Sequence, residues 1–302
     1  MFLKSRNLIL FALFSLAIIS ALAVGLYLPY LKAYNLIHPV RIIPSRTPAD
    51  VGVSHFETVE FPSSDGLKLV GWYVPPKNGA VVILVHGLGG GREEFLDVAG
   101  LIAEHGYGAL LFDLRNHGES AGDRTSLGLN EVNDVRGAFE FVRAQAGVDP
   151  TRIALYGHSM GGATVVLAGA AIPEISAVIA ESAYSSVEEN VAEGVKGLTG
   201  LPPFPFAPLV VFFAQREAGV DLSAVRPVDV IKKISPRPLL IVHGEHDDLI
   251  LVQNAHRLYE AAREPKELYI LPTGTHGFFL QTEPQVYPET VLRFLNASLQ
   301  QP

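Results

Sequence analysis

Beyond residue 55 the chain alternates two kinds of hydrophobic pattern. Short, largely apolar runs occur at Ala80–Val85, which is rich in valine, and at Gly108–Phe112, Arg152–Tyr156, Ala177–Ala180 and Pro238–Val242, with a shorter one at Leu268–Leu271. Such runs predict strands buried on both faces. Between them, Glu93–His105, Leu129–Gln145, Met160–Ala171, Val252–Arg263 and Pro284–Leu299 carry apolar residues at helical period. Two alternating segments, His55–Phe61 and Leu67–Val74, are joined by Ser63-Ser64-Asp65-Gly66 and predict an opening hairpin. Strands alternating with helices imply right-handed crossovers and a mostly parallel sheet covered on both faces, an α/β fold.

Two stretches break the rhythm. Residues 183–226 include Leu201-Pro202-Pro203-Phe204-Pro205-Phe206-Ala207-Pro208, too proline-dense for a regular helix. It reads as a small cap over the C-terminal edge of the sheet. At the other end, Leu8–Leu28 holds neither charge nor proline. At helical rise it spans the hydrocarbon thickness of a bilayer, roughly 30 Å. Lys4 and Arg6 precede it, and Tyr27 and Tyr30 lie at its far end. Residues 1–28 are therefore expected to form a transmembrane anchor, with a signal peptide cleaved near Ala21-Leu22-Ala23 as the alternative. The flanking charges lean towards an extracytoplasmic body. Pro29, Pro39, Pro44 and Pro48 predict a stiff linker over 29–54. The catalytic body is then 55–302.

Charge supports this division. Residues 1–46 carry five basic side chains and no acid, leaving 18 basic and 31 acidic residues in the remainder. An acidic body argues against nucleic acid as a partner. The chain has no cysteine, which excludes disulfides, thiolate metal sites and a cysteine nucleophile.

The chemistry gathers at strand ends. Gly157-His158-Ser159-Met160-Gly161 follows an apolar strand and runs into a helix of small residues. A sharp strand-to-helix turn of this kind exposes the Ser159 hydroxyl and aims a helix N-terminus at a developing oxyanion. A serine needs a base to take its proton. Among ten histidines, His276 in Thr273-Gly274-Thr275-His276-Gly277-Phe278 lies after the last strand, where a loop can return to the serine. Asp247, in Gly244-Glu245-His246-Asp247-Asp248, is the expected orienting carboxylate, with Asp248, Glu245 and Glu181 as alternatives. Oxyanion donors are expected from the Met160 N–H and from the Leu88 N–H in His86-Gly87-Leu88-Gly89-Gly90-Gly91. That loop has Arg92 where a dinucleotide fingerprint needs glycine, and the histidines near Asp247 lack tetrahedral metal spacing. Neither a cofactor nor a metal is expected.

These motifs, together with Asp113-Leu114-Arg115-Asn116-His117-Gly118-Glu119-Ser120 and His276-Gly277, resemble the α/β-hydrolase fold family over roughly residues 55–300. More narrowly the chain is similar to membrane-anchored serine hydrolases of the serine aminopeptidase-like, monoacylglycerol-lipase-like and depalmitoylase-like branches. The resemblance places the nucleophile, acid and base on Ser159, Asp247 and His276, and makes Asp113–Ser120 a structural turn that shapes the pocket. It implies two-step acyl transfer on an ester, thioester or amide. Phe204, Phe206, Phe212 and Phe213 in the cap suggest a lipid-like acyl substrate. A peptidase and an inactive ligand-binding scaffold are the alternatives.

Overall fold

The computed structural model describes residues 2–277 and 279–299. Met1, Phe278 and residues 300–302, which fall in the expected anchor, the expected base-bearing loop and the end of the body, lie outside the described residues. Eight strands form one sheet: β1 (Glu57–Pro62), β2 (Lys68–Val74), β3 (Val81–Val85), β4 (Gly108–Phe112), β5 (Ile153–His158), β6 (Ala177–Glu181), β7 (Leu239–Gly244) and β8 (Lys266–Leu271). Their order is β1-β2-β4-β3-β5-β6-β7-β8. β1 pairs antiparallel with β2, and β2 antiparallel with β4. All other pairings are parallel. Every residue of β3, β4 and β6 is buried. Those are the runs whose unbroken apolar character predicts covered strands.

The helices are α1 (Phe2–Ile37), α2 (Leu96–Glu104), α3 (Glu131–Arg143), α4 (Met160–Ala171), α5 (Val187–Thr199), α6 (Pro203–Ala218), α7 (Pro227–Val230), α8 (Gln253–Ala261), α9 (Phe279–Thr282) and α10 (Val286–Leu299). The two faces of the sheet bury separate cores. Val81, Ile83, Leu110, Leu155 and Val178 pack with α3 and α4 on one side. Val82, Leu84, Tyr156, Ile179 and Leu240 pack with α2 and α10 on the other.

The proline-rich segment corrects one expectation, because it is helical. Phe204 is extended (φ −88°, ψ 133°), so the regular turns of α6 begin at Pro205. Pro205 and Pro208 then occupy the first turn, where N–H groups have no intrahelical partner to lose. α5 and α6 form a helical hairpin. Ser186 caps α5 by accepting from the Glu189 N–H.

The N-terminus differs more. The expectation of a transmembrane anchor over 1–28 is not supported: among the described residues, no helix is long and apolar enough to cross a membrane. α1 continues through Pro29 to Ile37, well into the expected linker. Tertiary contacts explain this extension. Ala33 and Ile37 are fully buried in the core. The Thr125 N–H donates to the Ile37 carbonyl at 2.9 Å, and the Tyr30 ring meets Phe213 of α6 edge-on at 5.6 Å. The rest of the linker is also tied down. Arg41 Nη1 donates to the Ser120 carbonyl at 2.8 Å, and the Ser45 N–H donates to Glu93 Oε2 at 2.6 Å.

Candidate active site

Five chain segments meet at the C-terminal edge of the sheet. At the end of β5, Ser159 has φ 56° and ψ −119°. A non-glycine residue held there costs about 1–3 kcal/mol, which the surrounding packing must offset. The elbow is possible because its neighbours lack side chains. A Cβ at Gly161 would lie 2.0 Å from the Val85 carbonyl oxygen, and one at Gly157 would lie 2.2 Å from that of Gly161. Any larger residue would push the helix off the sheet. The Ser159 N–H donates to the Glu181 carbonyl at 2.9 Å, which fixes the elbow to β6.

The Ser159 hydroxyl lies 3.0 Å from Nε2 of His276. Nδ1 of His276 donates to Oδ2 of Asp247 at 2.7 Å. Asp247 is buried, whereas Glu245 and Asp248 are exposed. Its other oxygen accepts the N–H groups of Leu249 at 3.0 Å and Ile250 at 2.8 Å. Burial pushes the Asp247 carboxyl up. Hydrogen bonds from His243 and His276, the His276 charge and the Ile250 N–H outweigh it and hold the group well below the usual carboxylate range. Among the sequence alternatives, Glu181 is engaged elsewhere. Its carboxylate accepts the hydroxyls of Tyr156 and Tyr287 under the sheet.

Leu88 and Met160 both border Ser159. Neither N–H donates to an acceptor among the described residues, so both remain available for an oxyanion. The loop bearing Leu88 is held from three sides. A Cβ at Gly87 would lie 3.1 Å from that of Ser159, so the loop passes directly beside the Ser159 side chain. The Gly89 N–H donates to Nε2 of His117 at 3.1 Å, and Nδ1 of His117 donates to the Arg115 carbonyl at 2.9 Å. That pattern requires a neutral ring. Desolvation, aided by the nearby His86, drives the His117 pKa down to about 3.

The third tether was not found by sequence reasoning. Glu94 accepts the Gly87 N–H at 3.1 Å and pairs with Nδ1 of His158 at 2.7 Å. One carboxylate thus joins the Gly87–Gly91 loop to the residue preceding Ser159. Desolvation would raise the Glu94 carboxyl, but the His158 hydrogen bond and charge outweigh it and lower its pKa. Its only sequence signal is an acid placed seven residues after Gly87, within the first helical turn beyond the loop.

The Asp113–Ser120 turn is held by buried hydrogen bonds, and none of its residues lines the cavity at Ser159. Asp113 is buried and accepts the Arg92 N–H at 2.8 Å, Arg92 Nη1 at 2.9 Å and the Glu119 N–H at 3.0 Å. Ser120 Oγ donates to the Asp113 carbonyl at 2.6 Å.

A cavity of about 550 Å³ opens onto Ser159, His276, Leu88 and Met160. Its walls come from α5 and α6, including Val187, Val191 and Phe206, and from α1. Only part of the expected aromatic cluster faces it. Phe213 packs on Tyr30, and Phe204 and Phe212 are exposed. The charged residues on its wall are Lys32 and Glu94. Glu188 and Glu189, in the first turn of α5, do not line it. Glu189 instead accepts from Ser185 Oγ and faces Arg257. Among the described residues no cluster of three or more metal-ligating side chains occurs.

Comparison with known proteins agrees with this architecture. Residues 76–211 match the family model described as serine aminopeptidase, S33. Protein YqkD of Bacillus subtilis is 30% identical over 295 residues, covering 91% of this chain and 96% of the relative. Protein YfhR of Escherichia coli K12 is 30% identical over 252 residues, covering 80% of this chain and 81% of its own. The esterase Pf2001 of Pyrococcus furiosus superposes with a TM-score of 0.73 at 25% identity, covering 88% of this chain and 99% of that one. The acylaminoacyl peptidase of Pyrococcus horikoshii shares the fold, with a TM-score of 0.65 at 22% identity over 82% of this chain and 42% of that one. With this sheet order, this elbow and relatives alike along nearly the whole length, the chain belongs to the α/β-hydrolase fold family, and it is a hydrolase.

Proposed function

We propose that this hydrolase is a serine esterase or thioesterase acting on apolar acyl groups. The observation that carries the reading is the Ser159–His276–Asp247 relay opening into a largely apolar cavity. Ser159 attacks the acyl carbonyl as His276 Nε2 takes its proton. Asp247 keeps the His276 Nδ1 proton in place and stabilises the imidazolium that forms. The Leu88 and Met160 N–H groups hold the tetrahedral oxyanion. His276 then protonates the leaving alcohol or thiol. Water, deprotonated by the same nitrogen, attacks the acyl-enzyme, and the carboxylate leaves with Ser159 restored. No cofactor takes part in these steps.

The peptidase alternative fits the cavity less well. An aminopeptidase needs an acid free to bind the substrate ammonium. The Glu94 carboxylate is committed to His158 and Gly87, and the Lys32 ammonium would repel a second cation. With matched chromogenic substrates, kcat/KM for butyryl and octanoyl esters should exceed that for aminoacyl amides by roughly 10³ or more. A preference for the amides would overturn the ester reading.

The proposal also places the cavity beside lipid. Leu10, Phe11, Leu13, Phe14 and Leu16 of α1 are exposed, with Lys4 and Arg6 preceding them in sequence. With Leu22, Val24 and Leu26 they expose apolar surface around the whole circumference of α1, and apolar surface of this extent favours contact with lipid. The full chain should co-float with phospholipid vesicles through a density gradient. Recovery entirely in the dense fractions would refute lipid association.

A further inference from the structure

The wall of the acyl cavity includes a segment outside the hydrolase core. Gly25, Leu28, Pro29, Lys32 and Leu36 of α1 all border the cavity that opens on Ser159. Their spacing of three, four, seven and eleven residues places them on one stripe of the helix. From Leu36 to Gly25 that stripe runs eleven residues, about 16 Å at helical rise. Half the hydrocarbon core of a bilayer is about 15 Å, so the stripe matches the length of one lipid chain.

Two positions on this cavity stand out chemically. Gly25 in α1 and Gly194 in α5 both line it, and both lie inside helices, where glycine is disfavoured relative to alanine by roughly 1 kcal/mol. Neither is required by crowding: a Cβ added at either meets no atom within 4 Å. The missing side chains leave room in the cavity rather than for a packed neighbour. The helix bearing Gly25 is firmly placed. Ile37 and Ala33 are buried in the core, Thr125 Oγ1 donates to the Leu36 carbonyl at 3.1 Å, and Tyr30 packs on Phe213.

We infer that α1 is a substrate-binding wall, and that Gly25 and Gly194 set the length of acyl chain the cavity accepts, admitting chains of membrane-lipid length. This rests on the esterase reading and specifies its substrate class. The element expected from sequence only to anchor the protein thereby becomes part of the specificity apparatus.

Gly25→Leu and Gly194→Leu in the full chain test this directly. Leucine is the better helix former, so lower stability is not expected from the exchange itself. With 4-nitrophenyl esters from acetyl to palmitoyl, each variant should lower kcat/KM for the longest chains at least roughly tenfold and leave acetyl ester turnover within about twofold. Gly197→Leu is the control. Its Cβ also meets nothing within 4 Å, but the position does not line the cavity, so its profile should match wild type. Chain-length profiles unchanged in both cavity variants would overturn the inference while leaving the esterase reading intact. A second readout is independent of turnover: binding of a fluorescent long-chain fatty acid should weaken at least tenfold in both cavity variants. If wild type cleaved no ester, the esterase reading would fail, and this binding measurement would still decide the role of α1. Equal binding by wild type and both variants would refute it.

Discussion

Ser159→Ala is expected to lower kcat for a chromogenic ester by about 10⁵, close to the uncatalysed rate plus what binding and the oxyanion donors retain. The exchange removes the Oγ that lies 3.0 Å from His276 and little else. Ser159 precedes α4, but its side chain makes no capping hydrogen bond, so the helix loses no cap. Alanine retains a Cβ, so the positive φ is no easier or harder to hold. Thermal unfolding should therefore shift by no more than a few degrees. A steady-state rate measurement on protein free of contaminating esterase checks the prediction. A variant retaining more than about one hundredth of wild-type activity would remove Ser159 from the nucleophile role.

Asp247→Asn should be nearly as damaging, with kcat reduced by roughly 10⁴. The reason is the direction of two hydrogen bonds. Oδ1 of Asp247 accepts the Leu249 and Ile250 N–H groups, so an asparagine would keep its carbonyl oxygen there. Its amide NH₂ would then face Nδ1 of His276. The ring would have to accept at Nδ1 and carry its proton on Nε2, the atom that must receive the serine proton. Asp248→Asn is the matched control, since Asp248 is exposed and lines no part of the relay; its kcat should stay within about twofold. Equal losses in both variants would point to general charge effects and away from a tautomer held by Asp247.

The same carboxylate predicts a pH dependence of stability. Its pKa is depressed in the folded state by His243, His276 and the Ile250 N–H despite burial. The stabilisation is thus present above the unfolded carboxylate value of about 3.9 and lost as the pH falls through the depressed folded value. Stripping this contribution away requires strongly acidic solution. Asp247→Asn should accordingly flatten the most acidic part of the stability profile and leave the region near neutrality parallel to wild type.

Much of this site is legible in the sequence because it sits at element boundaries with strong local signals. Apolar runs buried on both faces mark β3 to β7, and each of Leu88, Ser159, Asp247 and His276 follows one of the sheet's strands. A glycine-flanked serine between a strand and a helix leaves few alternatives. What the sequence conceals depends on tertiary partners. Pro205 and Pro208 argue against a helix until Phe204 is seen to be extended, which makes them the opening turn of α6. Pro29 and the prolines beyond it suggest a stiff linker standing outside the body. Yet Ala33 and Ile37 are buried in the core, and Arg41 and Ser45 bond to the body. Glu94 belongs to no recognisable motif. Its role emerges only when the loop from Gly87 and the elbow at His158 are brought to the same carboxylate.

The proposed mechanism depends on Ser159 carrying the acyl group, and this has a direct chemical test. The full chain is treated with a fluorophosphonate and digested, and the adduct is located by mass spectrometry. One stoichiometric adduct is expected on the peptide containing Ser159 in wild type and none in Ser159→Ala. An adduct on another residue, or labelling that persists in the variant, would contradict it.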